Sequence, residues 1–264
     1  MSNNNENSNN KVTDWWTPEI WEAFYNEQKE ICYCNKEPHE VEDVAKMINL
    51  ERLCMSNSKI DDLSIIKGLT ELKIARLNDN FIDDLTPLTS LKNLEVLILS
   101  NNQIENLAPL SHLKNLKELR LSNNQIDDIT SLEVLPNLKF LCVCNNQIDD
   151  LTPLAGLTGL EILCICHQEI KDISPLAGLV NLKFLHLENN KIEDISPLAD
   201  MKKLKTLDMV DNYIYDISPL YEIKKLKHLD LSGNEVDEEQ AAEFSRLNPK
   251  CEVYLVNVDC HDCC

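Results

Sequence analysis

The chain has 264 residues, and its 45 acidic side chains outnumber its 25 basic ones, which gives a formal net charge of −20. A field of this sign repels the nucleic-acid backbone and anionic membrane surfaces, so the composition argues against both as binding partners. No stretch approaches the roughly 18 apolar residues of a membrane span, and the start MSNNNENSNN lacks the basic region and apolar core of a secretory signal, so we expect a cytoplasmic protein.

The first 49 residues predict a tail and a cap. Residues 1–13 are polar and rich in asparagine, which predicts disorder. A helix start at Thr17 is followed by apolar residues at helical spacing, and we expect a second helix from Pro38 to Ile48. We therefore expect residues 14–49 to form a helical N-terminal cap on the domain that follows.

A single sequence pattern then recurs at a constant spacing through residues 50–235. Two clear copies are NLEVLILSNNQIENLAPLSHL (93–113) and NLKFLHLENNKIEDISPLADM (181–201). The first leucines of the nine units are Leu50, Leu72, Leu94, Leu116, Leu138, Leu160, Leu182, Leu204 and Leu226. This period and the pattern L-x-x-L-x-L-x-x-N-x-I indicate a solenoid, in which no repeat buries its apolar face alone. The sequence thus predicts one domain of nine stacked repeats.

Each unit also carries an asparagine and a turn. The asparagine position holds Ser58, Asn80, Asn102, Asn124, Asn146, Gln168, Asn190, Asn212 and Asn234. A stack of side-chain amides can satisfy backbone groups that turn out of the strands. Ser or Thr before Pro, as in Thr86-Pro87, predicts an N-cap and a short helical segment. The acids that recur before these turns, such as Asp84, are expected to accept backbone hydrogen bonds rather than to bind calcium.

This alternation of strand and helical turn resembles the 22-residue leucine-rich repeat subfamily, which includes the internalins and the phosphatase-1 regulator of the eukaryotic nucleus. The resemblance covers roughly residues 48–235. It implies an α/β leucine-rich repeat solenoid, a curved horseshoe with parallel concave strands and short 3-10 or helical convex turns. The partners that it implies are a phosphatase catalytic subunit or, for an exported protein, a host or bacterial surface protein. Because fold alone does not give function, the partner must be sought in the residues that the repeat leaves free.

Strand geometry selects those residues. Side chains alternate along a strand, so with the leucines of the fourth and sixth positions in the core, the third, fifth and seventh positions face the concave surface. Arginines occur there in the early repeats, apolar residues in the middle and acids at the end. An apolar centre with charged flanks is typical of a protein-binding patch, although parallel strands also favour apolar residues. The candidate partner-binding residues are Arg76, Arg120, Phe140, Ile162, Phe184, His186, Glu188, Asp208 and Asp230.

The eleven cysteines, without a recognisable secretory signal, predict reduced thiols rather than a disulfide framework. Cys142, Cys144, Cys164 and Cys166 lie on neighbouring predicted strands, where their alpha carbons should form a small rectangle. Three interpretations are open: a zinc site, cross-strand redox pairing, and small apolar filling of the surface, which is the leading one. These four residues are the candidate metal ligands, and we expect no other cofactor.

Beyond the repeats, residues 236–256 predict a C-terminal cap. Its elements are a longer helix from Asp237 to Leu247 and a closing strand from Cys251 to Val256. Residues 257–264 form a cysteine-rich tail that we expect to be disordered.

The function that the sequence favours is a noncatalytic module, a monomer whose concave face binds a protein partner of unknown identity. Catalysis needs a nucleophile, base or metal held at one point, and His186 beside Cys164 has no evident orienting group or oxyanion donor. Two alternatives are a cytosolic zinc- or redox-responsive protein that uses the four cysteines, and an exported internalin-like adhesion or effector protein.

Overall fold

Eleven short parallel strands form one open sheet in the computed structural model, which describes residues 29–255. The strands are β1 (Glu30–Cys32), β2 (Arg52–Cys54), β3 (Ile74–Arg76), β4 (Val96–Ile98), β5 (Glu118–Arg120), β6 (Phe140–Cys142), β7 (Ile162–Cys164), β8 (Phe184–His186), β9 (Thr206–Asp208), β10 (His228–Asp230) and β11 (Glu252–Tyr254). Their order in the sheet is their order in the chain, so each rung contacts its sequence neighbours. The predicted solenoid is confirmed.

The register follows the repeat residue by residue. Phe140 pairs with Ile162, and Ile162 pairs with Phe184, each partner being one repeat further along the chain. The middle residue of each repeat strand, for example Leu141 and Leu163, is fully buried in a single core that runs the length of the array. A constant period therefore stacks equivalent side chains directly above one another.

The asparagine ladder closes each turn at the end of a strand. Asn80 donates from Nδ2 to the carbonyl oxygens of Met55 and Leu77, both at 2.9 Å. Its Oδ1 accepts the amide hydrogens of Ser58 at 2.9 Å and Ile60 at 3.0 Å in the preceding repeat. One side chain thus satisfies backbone groups of two rungs, as predicted.

The two irregular rungs keep part of this arrangement. Gln168 donates from Nε2 to the carbonyl of Val143 at 2.7 Å and accepts from the amide of Ile148 at 2.9 Å. Ser58 donates from Oγ to the carbonyl of Tyr33 at 2.8 Å. The longer amide and the short hydroxyl therefore still bridge neighbouring turns.

Ten short 3-10 helices lie opposite the sheet among the described residues. They are Pro38–Glu40, Glu42–Lys46, Leu63–Ile66, Thr86–Ser90, Ala108–His112, Thr130–Leu132, Thr152–Leu154, Ser174–Gly178, Ser196–Leu198 and Ser218–Leu220. Their caps differ from the sequence prediction, because Thr86 is already helical and its amide donates to Oδ1 of Asp84 at 2.8 Å. Equivalent bonds join Asp150 to Thr152 and Asp172 to Ser174. The carboxylate two residues earlier, rather than the hydroxyl, satisfies the free amide.

The described part of the predicted N-terminal cap contains short helices and one strand. Residues 38–46 form two 3-10 helices in place of an α-helix, and β1 pairs with β2 as an additional rung. Ile31 occupies the place of Leu53 in the preceding repeat, so the array begins one unit earlier than the leucine pattern indicates. The predicted tail at 1–13 and the helix start at Thr17 lie outside the described residues.

The C-terminal end of the described chain consists of one α-helix and one strand. Helix α1 (Glu238–Leu247) begins after Asp237, whose carboxylate accepts the amide of Gln240 at 2.7 Å, and it buries Phe244 against the core. Strand β11 then pairs with β10 and ends the sheet. The cysteine-rich tail at 257–264 lies beyond the described part.

Within residues 29–255, no helix has the length and apolar character needed to cross a membrane.

Candidate functional site

Three apolar side chains stand side by side on the concave face of the sheet. Phe140, Ile162 and Phe184 occupy the third position of consecutive repeats, on β6, β7 and β8, and they are lateral neighbours in the sheet. All three are half-buried, whereas the leucine that follows each of them is buried. We call these three residues the apolar strip. It is continuous across three rungs and accessible from the concave side.

A cation adjoins one end of the apolar strip. The guanidinium carbon of Arg120 lies 4.3 Å from the centre of the Phe140 ring, a cation–π contact. Its Nε also donates to Oε1 of Glu118 at 2.7 Å, so the side chain is held from two sides. Arg76, two rungs earlier in the same row, is exposed. The predicted basic flank of the strip is thus present, and its nearest member is oriented.

At the other end of the strip, His186, Glu188 and Asp208 form a compact polar cluster. His186 Nδ1 lies 3.6 Å from Oε1 of Glu188, and His186 pairs laterally with Asp208 in the sheet. Each of the three offers an atom within 4.8 Å of the others. The cluster joins a base to two carboxyl groups in a part of the surface with little solvent.

The two carboxyl groups of this cluster titrate far apart. Burial, a hydrogen bond to Glu188 and its negative charge raise the pKa of Asp208 from 3.8 to about 8. Burial opposes ionisation of Glu188 as well, but hydrogen bonds from His186 and Asp208 outweigh it and lower the pKa of Glu188 to about 2. At neutral pH, Asp208 therefore carries the proton and Glu188 carries the charge.

The acids at the C-terminal end are less accessible than the sequence predicts. Asp208 is 5% exposed and Asp230 is 2% exposed. Oδ1 of Asp230 accepts from both the amide and the hydroxyl of Ser232, at 3.0 and 2.6 Å. The predicted row of acids facing a partner is thus reduced, in its accessible part, to Glu188.

The four central cysteines are buried beside the apolar strip rather than displayed on the surface. Cys142, Cys144, Cys164 and Cys166 are between 1% and 4% exposed, and the side chains of Phe140 and Ile162 pack against them. Cys142 Sγ lies 3.7 Å from Cys144 Sγ and 2.9 Å from Oγ of Ser122. This packing favours the interpretation as small apolar filling, and it supports Phe140 and Ile162 from below.

The described side chains that could converge on a metal ion belong to other groups. Besides His186, Glu188 and Asp208, the thiols of Cys32, Cys34 and Cys54 have sulfur atoms within 4.8 Å of one another. Cys32 and Cys34 lie outside the repeats that the leucine pattern identifies, because that pattern does not include β1. The available signal is the spacing, since Cys32 precedes Cys54 by the length of one repeat.

Comparisons with known proteins agree with this architecture. Family models described as leucine-rich repeats match residues 92–134, 114–156, 136–178 and 158–200, and a related single-repeat model matches 223–239. A search of curated proteins gives no match.

Solved structures give close matches to the fold. An internalin (InlF) of Listeria monocytogenes is 28% identical with a TM-score of 0.83, and the alignment covers 89% of this chain and 68% of that one. Internalin C2 of the same organism is 35% identical with a TM-score of 0.66, covering 69% of this chain and 81% of that one. A leucine-rich repeat protein of Leptospira interrogans is 25% identical with a TM-score of 0.61, covering 80% and 68%.

Proposed function

The chain belongs to the leucine-rich repeat family, whose members are protein-interaction modules, and from that premise we propose that it binds a partner protein on its concave face without catalysing a reaction. The observation that carries this proposal is the apolar strip. We also propose that the protein is a cytoplasmic monomer and that its acidic surface disfavours the binding of nucleic acid.

The apolar character of the strip is not demanded by the fold. Other repeats of the same array place Arg52, Glu118, Thr206 and His228 at the same third position, in strands of the same register. A parallel sheet of this kind therefore tolerates polar residues there. Because three consecutive apolar residues exceed what the repeat requires, they support a role in contact with a partner.

The surroundings of the strip are suited to orienting a partner. Aromatic side chains with neighbouring arginine are the residue types that supply most of the binding energy in protein interfaces. Arg120 is already fixed over Phe140, so little side-chain entropy is lost when a partner contacts it. Arg76 on one flank and Glu188 on the other give the strip opposite charges at its two ends. A partner with an apolar segment, acidic at one end and basic at the other, fits this surface.

The test compares affinity capture by three forms of the protein from an extract of the source cells. In the first variant, Phe140→Ala is combined with Phe184→Ala, which truncates both aromatic ends of the strip. Loss of two anchors is expected to weaken binding by about 100-fold, since each costs about 1.4 kcal/mol or more. Quantitative mass spectrometry of the captured proteins, followed by titration calorimetry with the partner identified, provides the measurement.

The matched control combines Phe81→Ala with Tyr213→Ala. Both aromatic residues are 52% exposed, and both follow the asparagine position outside the strands. This control removes the same kind of surface from another face, so it should retain the partner. A partner that binds wild type and the strip variant equally would place the interface elsewhere.

A further inference from the structure

Three thiols meet at the N-terminal end of the concave face. Cys32 on β1 pairs laterally with Cys54 on β2, and Cys34 follows Cys32 by two residues on the same side of the chain. The three sulfur atoms all lie within 4.8 Å of one another, and Cys32 Sγ is 3.1 Å from Cys34 Sγ. We call these three residues the thiol triad.

We propose that the thiol triad binds a thiophilic cation, Zn²⁺, through its three sulfur atoms. Thiolates bind zinc at about 2.3 Å, so the sulfurs of a tetrahedral site lie about 3.8 Å apart. The separation of 3.1 Å between Cys32 Sγ and Cys34 Sγ is below this value, and the other two do not exceed 4.8 Å, so small side-chain rotations suffice to reach it. The fourth position is open to water or to an atom of a bound partner.

The triad is accessible to an ion from solution. Cys32 is exposed, and Cys34 and Cys54 are half-buried, whereas the four central cysteines are buried under the apolar strip. A hydrated cation can therefore reach the triad without opening the core. This accessibility distinguishes the triad from the thiols in β6 and β7.

Cys34 and Cys54 differ in how readily their thiols ionise. Burial opposes ionisation of Cys54, but hydrogen bonds from Cys34 and Ser56 outweigh it and lower its pKa. The pKa of Cys34 is raised to about 12, first by burial and then by its hydrogen bonds to Cys54 and Cys32. When zinc forms bonds to the three sulfurs, the remaining thiol protons pass to solvent, and no atom is oxidised or reduced.

The first experiment uses the full-length wild-type protein, reduced and incubated with or without one equivalent of Zn²⁺. Each cysteine is then alkylated and its labelling is followed by peptide mass spectrometry. Zinc is expected to slow labelling of Cys32, Cys34 and Cys54 together by at least tenfold. Labelling of these three residues that zinc does not slow would overturn the proposal.

The second experiment measures zinc content after dialysis. The variant combines Cys32→Ser, Cys34→Ser and Cys54→Ser, and the control removes an equal number of thiols with Cys260→Ser, Cys263→Ser and Cys264→Ser. Wild type and the control are expected to retain one more zinc ion per chain than the triad variant. Equal zinc in all three forms would contradict the proposal, and the labelling result with wild type decides the matter if the triad variant does not fold.

Discussion

At the scale of a single residue, Asn80 illustrates the hydrogen bonding that the asparagine position provides in each repeat. Its amide group makes five hydrogen bonds to backbone groups that lie on two rungs and have little access to water. The residue before the ladder asparagine has a second, different requirement: Asn101, Asn123 and Asn145 have positive φ values of 58°, 57° and 53°. Asparagine tolerates this left-handed conformation better than most residues. The repeated Asn-Asn pair thus combines a hydrogen-bonding role with a conformational one.

We expect Asn80→Ala to lower the free energy of unfolding by about 3 kcal/mol, because it leaves several buried backbone groups unsatisfied. Urea denaturation followed by circular dichroism provides the measurement. The control is Asn93→Ala, which removes the same group from an exposed site with one bond, to the carbonyl of Thr70. Its cost should be about 1 kcal/mol or less. Equal losses in the two variants would contradict the role assigned to the ladder.

Asp208 gives stability a pH dependence on the alkaline side. The pKa of this carboxyl is about 8 in the folded protein and near 3.8 when it is unperturbed. The stabilisation associated with its proton is complete below pH 3.8 and is lost as the pH rises through about 8. Glu188 and Asp230 are the charged neighbours that act in this direction, and His186 lies beside them. The shift of Glu188 is opposite in sign, so its contribution is lost only as the pH falls from 4.5 towards 2.

Between pH 6 and 9, we expect the free energy of unfolding of the wild type to fall by about 3 kcal/mol through this group. Asp208→Asn should remove most of that decrease, since the amide does not ionise. Urea titrations at both pH values test the difference. Asp211→Asn makes the same change at an exposed site three residues away and should leave the wild-type decrease intact. A decrease that persists in Asp208→Asn would assign the pH dependence to other groups.

At the scale of one element, the 3-10 helix Thr86–Ser90 follows a carboxylate, that of Asp84, which has a fixed partner. Asp84 accepts the amide of Thr86, and hydrogen bonds from the hydroxyl of Thr86 and then from this amide lower the pKa of Asp84. The adjacent Asp83 is exposed. The pair of acids that recurs at this place in the repeat therefore contains one structural carboxylate and one solvated carboxylate.

This pair provides a matched test of the turn. Asp84→Ala is expected to reduce stability by about 1 kcal/mol, because the first amide of the 3-10 helix loses its acceptor. Asp83→Ala removes the same charge one residue earlier and should leave stability nearly unchanged. Thermal melting of both variants measures the difference, and similar losses would attribute the effect to net charge instead of to capping.

At the scale of the whole molecule, the concave face changes character along the array. Its third-position row stays accessible throughout, but the fifth and seventh rows become buried in the central repeats, where cysteines replace arginine, asparagine and serine. The thiol triad lies at one end of this face, the apolar strip in the middle, and the His186 cluster just beyond the strip. A partner that spans several rungs would therefore meet three chemically different surfaces in a fixed order.

Much of this arrangement is determined by the sequence alone. Within residues 50–235, the strict period determines the strand register and the identity of the core, because equivalent residues must stack when every unit has the same length. The same alternation predicted the apolar strip and its basic flank. The C-terminal cap was predictable because Asp237 and the apolar spacing after it differ from the repeat.

Only the tertiary structure shows the features that depend on contacts between neighbouring strands. Strand β1 is recognised as a rung by its hydrogen bonds to β2, since its sequence lacks the leucines of the pattern, and only that pairing brings Cys32 and Cys34 to Cys54. The burial of the four central cysteines depends on the side chains of Phe140 and Ile162, which pack against them. The pairing of Asp208 with Glu188 joins residues of different repeats. A periodic sequence predicts which residues share a face. The burial and charge at each site depend on the side chains of the adjacent repeats that stack against it.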